Sequence, residues 1–151
     1  LALAAACAQP AATPVAPDPD LVQARARLSS SLDACSRETG YVPVESETLA
    51  EDTIAPGELA WRQCLYDAIR IYSAENVEMN GLYEQLIAED ISMTTAIQTG
   101  NMTRSQRRAR LDALIEQIRV AEDQAALNRG LEQRMRDDQI RQIVDNIGLM
   151  R

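Results

Sequence analysis

Histidine, lysine and phenylalanine are all absent from these 151 residues, and each absence removes a kind of chemistry. Histidine is the side chain most used to move protons near neutral pH and the commonest transition-metal ligand. Without lysine there is no Schiff base and no Ser–Lys nucleophile. One tryptophan and no phenylalanine leave little of the aromatic platform that a sugar cleft uses. A phosphate-binding loop, a Rossmann glycine pattern and an EF-hand loop are missing as well. These gaps argue for a protein that is not an enzyme and carries no cofactor or metal. No run reaches the roughly 18 apolar residues of a membrane-spanning helix. Positive charge is also short, since 15 arginines face 23 acidic residues for a net charge of −8. A nucleic-acid binder needs a basic face to displace phosphate counterions, so nucleic acid is not an expected partner.

What is present begins with LALAAACAQP. Ala4, Ala5 and Ala6 form a small-x-small site for signal peptidase, and residues 1–6 have the character of the end of a signal peptide's apolar region. The same stretch resembles the lipobox of bacterial lipoproteins, in which a cysteine after small residues is diacylated and becomes the mature N-terminus. Here that cysteine is Cys7. The usual large aliphatic sits one position early, at Leu3, and Ala4 fills its place. A plain secretory signal or an alanine-rich start without structure is the alternative. Four of the six prolines follow directly (Pro10, Pro14, Pro17 and Pro19), which favours an extended spacer without internal hydrogen bonds. Cysteine parity agrees, because Cys35 and Cys64 can pair and leave Cys7 over. The expected organisation is a signal remnant (residues 1–6), a lipid-anchored tether (7–19) and a helical domain (20–151). It places the protein on the periplasmic side of a bacterial envelope, with the outer membrane favoured.

The body carries helical periodicity. Leu21, Leu28, Leu32 and Cys35 share a face after a candidate N-cap at Asp20, and Gly40 and Pro43 end that helix. Residues 40–57, GYVPVESETLAEDTIAPG, form a long acidic loop of the kind that is functional or disordered. From Glu58 a stripe runs through Trp61, Leu65, Ile69, Tyr72, Met79, Leu82, Tyr83, Leu86, Met93 and Ile97. Because its phase continues across Asn80-Gly81, the stripe reads as one long helix kinked at Gly81. QTGNMTRSQ then supplies a glycine stop at Gly100 and a capping box from Thr103 to Gln106. The last helix carries Leu111, Leu114, Ile115, Ile118, Leu127, Leu131, Met135, Ile140, Ile143 and Ile147. The expected fold is all-α: a long antiparallel helical hairpin, each arm about 40 residues or 60 Å, with a shorter N-terminal helix against its open end. A Cys35–Cys64 disulfide would pin that first helix to the second and contribute about 3 kcal/mol in an oxidising compartment. Surplus apolar positions on such long helices point to self-association or a protein partner.

The segment QCLYDAIRIYSAENVEMNGLYEQL resembles the core of the LprI-like lysozyme-inhibitor family, small exported helical proteins with cysteines. Cys64, Glu78, Met79, Asn80, Tyr83 and Leu86 match its cysteine and acidic/Leu-Asn…Tyr…Leu run, with Met79 for leucine. Gln106 and Arg107 match a later Gln-Arg-x-Trp stretch in which Ala109 replaces the tryptophan. The resemblance implies an envelope protein that inhibits lysozyme-type enzymes by binding, and it assigns no inhibitory residue.

Two features carry candidate chemistry. Arg104, Arg107, Arg108 and Arg110 put four positive charges at a helix N-terminus, where the macrodipole disfavours cations, and Arg104, Arg107 and Arg108 share one face. They read either as a patch for an anionic partner or, as charge runs usually do, as a solvated face paired with Glu89, Asp90 and Asp112. The acidic pairs Glu51-Asp52, Glu89-Asp90 and Asp137-Asp138 are the only candidates for two-carboxylate chemistry, and solvated helix faces account for them more simply. Trp61 and Tyr66 read either as an exposed binding edge or, for Trp61, as packing under the first helix, which leaves Tyr66 without a settled place. Asn101-Met102-Thr103 matches a glycosylation sequon that capping by Thr103 explains.

Overall fold

The computed structural model describes residues 18–43 and 49–148. Its first helix, α1 (Pro19–Thr39), starts two residues earlier than the sequence suggests, because Asp18 and not Asp20 is the N-cap. The Asp18 carboxylate accepts from the Asp20 N–H at 3.0 Å. Pro19 occupies the first helical position, where a missing N–H costs nothing. Gly40 ends α1 in the left-handed conformation (φ 68°), its N–H donating to the Ser36 carbonyl. Cys7 and the prolines before Pro19 lie outside the described residues.

All regular structure among the described residues is helical, as expected. The long second arm, however, is two helices. α2 (Glu58–Ala74) stops, a 3-10 turn follows at Val77–Met79, and α3 (Asn80–Gln98) begins. The chain does not kink at Gly81; it reverses before it. Arg70 bonds Glu84 while Arg62, two turns earlier, bonds Asp90, so α2 and α3 run antiparallel. The Ser73 hydroxyl donates to Asn80 Oδ1 at 2.9 Å and ties the turn shut.

α4 (Arg104–Gly148) follows a tight connection. Gly100 (φ 72°) and Asn101 donate to the carbonyls of Ile97 and Ala96, the paired bonds of a Schellman stop. The expected capping box is present: the Gln106 N–H donates to Thr103 Oγ1 at 3.1 Å and the Thr103 N–H to Gln106 Oε1 at 2.9 Å. Contacts from Thr94 to Arg107 and from Tyr83 to Glu122 run in opposite directions along α3 and α4, which are therefore antiparallel. α1 is antiparallel to α2 through Ser36–Trp61 and Arg27–Glu75, and to α4 through Arg25–Glu122 and Asp18–Arg129. Among the described residues, four α-helices replace the expected three.

The core joins α2, α3 and α4 through Tyr66, Ile69, Tyr72, Met79, Tyr83, Leu86, Ile87 and Ile118. Glu122 sits inside it at 2% exposure, accepting from the Tyr72 and Tyr83 hydroxyls (2.7 and 2.6 Å) and from Arg25. A buried carboxylate needs that saturation of its oxygens. The expected disulfide joins Cys35 to Cys64, with Cα atoms 5.7 Å apart. Trp61 packs on this end of α1 as expected. Its indole N–H donates to Ser36 Oγ, and its ring meets Tyr41 edge-on at 5.5 Å. α4 outruns its neighbours: its last described bond to another helix is at Arg129, and residues 130–142 are exposed throughout.

Candidate functional site

Glu58 opens α2, and its side chain is fully buried. The preceding Gly57 is left-handed (φ 78°), and a Cβ there would lie 2.8 Å from the Thr39 carbonyl oxygen, so only glycine lets the chain pass α1 this closely. That turn swings the Glu58 carboxylate inward. Its Oε2 accepts from the Ala55 N–H (3.0 Å) and from Arg104 (2.8 Å). Its Oε1 accepts from Arg62 (3.0 Å) and from Arg107. Arg62 also donates to Asp90 Oδ2, which takes the Tyr66 hydroxyl at 2.8 Å. Asp90 Oδ1 is buried and has no partner among the described residues. One carboxylate thus serves three guanidiniums drawn from α2 and α4.

Electrostatics follow from this crowding. Burial alone would raise the Glu58 pKa, but the bonds from Ala55, Arg104 and Arg107 outweigh it and lower the value to about 2. Burial, then the neighbouring Asp90 charge, pushes the Tyr66 hydroxyl up, so it remains a donor. Arg107 moves the other way. Burial and the adjacent Arg62 charge lower its pKa against the pull of Glu58. Its Nη1 donates to Thr94 and its Nη2 to Glu58, while its Nε–H has no acceptor among the described residues. Near neutral pH Glu58 stays ionised and Tyr66 stays protonated, so these groups supply fixed donors and acceptors and not a mobile proton.

The arginine face reads differently in three dimensions. Arg104, Arg107 and Arg108 do share a face, and all three line one cavity of about 300 Å³ to which all four helices contribute. Arg107 is 4% exposed, however, and lies inside the protein rather than on a solvated face. Its carboxylate partner is Glu58; of the pairs expected for the arginine run, Arg110–Glu89 is present at 3.0 Å, whereas Asp90 pairs with Arg62. Arg104 also donates to the Thr53 carbonyl. The acidic loop contributes as well. Glu51 accepts from the Ser105 N–H (3.0 Å) and hydroxyl (2.8 Å), capping the α4 N-terminus, and these bonds lower its pKa. Asp137 and Asp138 lie on the exposed end of α4.

Glu58, Arg62 and Tyr66 are the site residues to which the sequence gives no settled role. A glutamate in a helix's first turn looks like a dipole partner. Its one further signal is the i, i+4 spacing to Arg62. Among the described residues no group of three or more acidic, Cys or His side chains is placed to hold a metal, and no helix is long and apolar enough to cross a membrane. No protein family's sequence model, no curated protein and no solved structure matches this chain.

Proposed function

We propose that this is an exported, lipid-anchored envelope protein that acts by binding and does no chemistry of its own. The observation that carries the reading is the Cys35–Cys64 disulfide. Disulfides persist in oxidising compartments, and this one leaves Cys7 as the single remaining cysteine, directly before a proline-rich spacer. Diacylation of Cys7 would hold the helical body at the membrane surface, on the periplasmic side, most simply at the outer membrane. The binding surface is the end of α4. Leu131 (46%), Met135 (65%) and Ile140 (58%) stand exposed on it, suited to a second copy or a protein partner. In the expressing bacterium the protein should sediment with membranes, and Cys7→Ala should release it to the soluble fraction. Equal distribution of the two forms would reject the anchor.

A second reading, inhibition of lysozyme-type enzymes, is favoured by the net charge of −8, which suits a basic enzyme surface. Of the residues behind the family resemblance, Met79, Tyr83, Leu86 and Arg107 are buried, whereas Glu78, Asn80 and Gln106 are exposed and are the ones an enzyme could meet. A lysis assay with the purified domain decides the point.

A further inference from the structure

The cavity beside the Glu58 cluster has two unlike walls. One is apolar, formed by Leu65, Ile69, Leu86, Leu111 and Ile115, with Trp61 beside them. The other is polar, with Arg62, Arg104, Arg107, Arg108, Asp90 and Asp112. An apolar pocket with a few converging polar groups is the usual form of a small-molecule site.

The polar wall is incompletely neutralised at one place. Arg62 bonds both Glu58 and Asp90. Arg107, almost fully buried, bonds one carboxylate, Glu58, which also serves Arg62 and Arg104, while Asp90 acts on it without a direct bond. Its Nε–H is unspent. Burial and the adjacent Arg62 charge leave this guanidinium less stabilised than a free one, and a further anion would relieve it. Asp90 on the same wall sets the opposite limit, because a dianion would be repelled by it.

We propose that this cavity binds a medium-chain carboxylate, its hydrocarbon chain against Leu65, Ile69, Leu86, Leu111 and Ile115 and its single negative charge on Arg107. The Arg107 Nε–H and a remaining Nη–H form the fork that carboxylates accept. The site does not depend on the membrane anchor or on the exposed end of α4, so it stands or falls separately from the proposed function.

Trp61, the only tryptophan, lines the cavity and reports on its occupation. The purified full chain is titrated with octanoate, 1-octanol, octylamine and octyl phosphate, following Trp61 emission. Octanoate should give a saturable change, with the other three at least about tenfold weaker, since each lacks the single negative charge or doubles it. Ile115→Glu, at the half-exposed mouth, and Leu32→Glu, on the α1 side, should each abolish octanoate binding while circular dichroism shows an intact fold. Arg107→Gln should remove the preference for octanoate over octanol. No saturable response to octanoate, equal binding of octanol or octylamine, or unchanged binding in both folded glutamate variants would overturn the proposal.

Discussion

Gly57 and Gly40 share a left-handed backbone (φ 78° and 68°) but not a neighbourhood. Around Gly40 a Cβ would meet nothing within 4 Å, whereas at Gly57 it would meet the Thr39 carbonyl oxygen at 2.8 Å. Gly40→Ala should therefore lose only the left-handed penalty of about 1–2 kcal/mol. Gly57→Ala should lose more, because backbone must also move, and its melting temperature should fall further than that of Gly40→Ala. Equal melting temperatures would show that the α1–α2 junction is looser than described. Glu58 makes a pH prediction. Its ionised form is the one that Ala55, Arg62, Arg104 and Arg107 bind, and its pKa falls from 4.5 to about 2 on folding. The stability it supplies is complete above about pH 4.5 and is lost as the pH drops toward 2. Urea midpoints should decline across that window. Glu58→Gln should flatten the decline and cost several kcal/mol at neutral pH, since it strands buried guanidiniums. A variant with the wild-type slope would remove Glu58 from this role.

At the scale of elements, periodicity identified the helices and misjudged their direction. Tyr72, Met79, Tyr83 and Leu86 are all core residues at helical spacing, and that spacing survives a chain reversal because both sides of the turn face the same interior. Local chemistry was the missing discriminator: Asn76 (φ −129°, ψ 74°) breaks the helix one turn ahead of the Asn80-Gly81 pair that draws the eye. The stop at Gly100, the capping box and the Cys35–Cys64 pairing were legible because each depends on residues near in sequence or on parity. The Glu58 cluster was not, since it assembles side chains from α2, α3 and α4 whose register follows only from the reversal. Arg107 shows the cost of that gap; on a linear reading it belongs to a solvated run. The end of α4 gives an element-level prediction. Residues 130–142 are exposed throughout, so truncation after Gln133 should shift the melting temperature by no more than a few degrees. The same truncation removes Met135 and Ile140 and should abolish concentration-dependent sedimentation if they mediate self-association. A large loss of stability would mean that the exposed segment supports the bundle.

For the whole molecule, the account joins a covalent fact to a compartment. The Cys35–Cys64 bridge closes a loop across 29 residues and ties α1 to α2, worth about 3–4 kcal/mol in the chain-entropy model. The buried charge clusters at Glu58 and Glu122 then fix how α1, α2 and α3 sit against α4, and leave a cavity at one end and an unaccompanied helix at the other. That arrangement suits a protein held at a surface and presenting binding sites. Export with an anchor at Cys7 is tested most directly by the intact mass of the protein recovered from bacterial membranes without reduction. The expected species begins at Cys7, heavier by a diacylglyceryl group and lighter by the two hydrogens of the disulfide. An unmodified Cys7, or free thiols at Cys35 and Cys64, would contradict it.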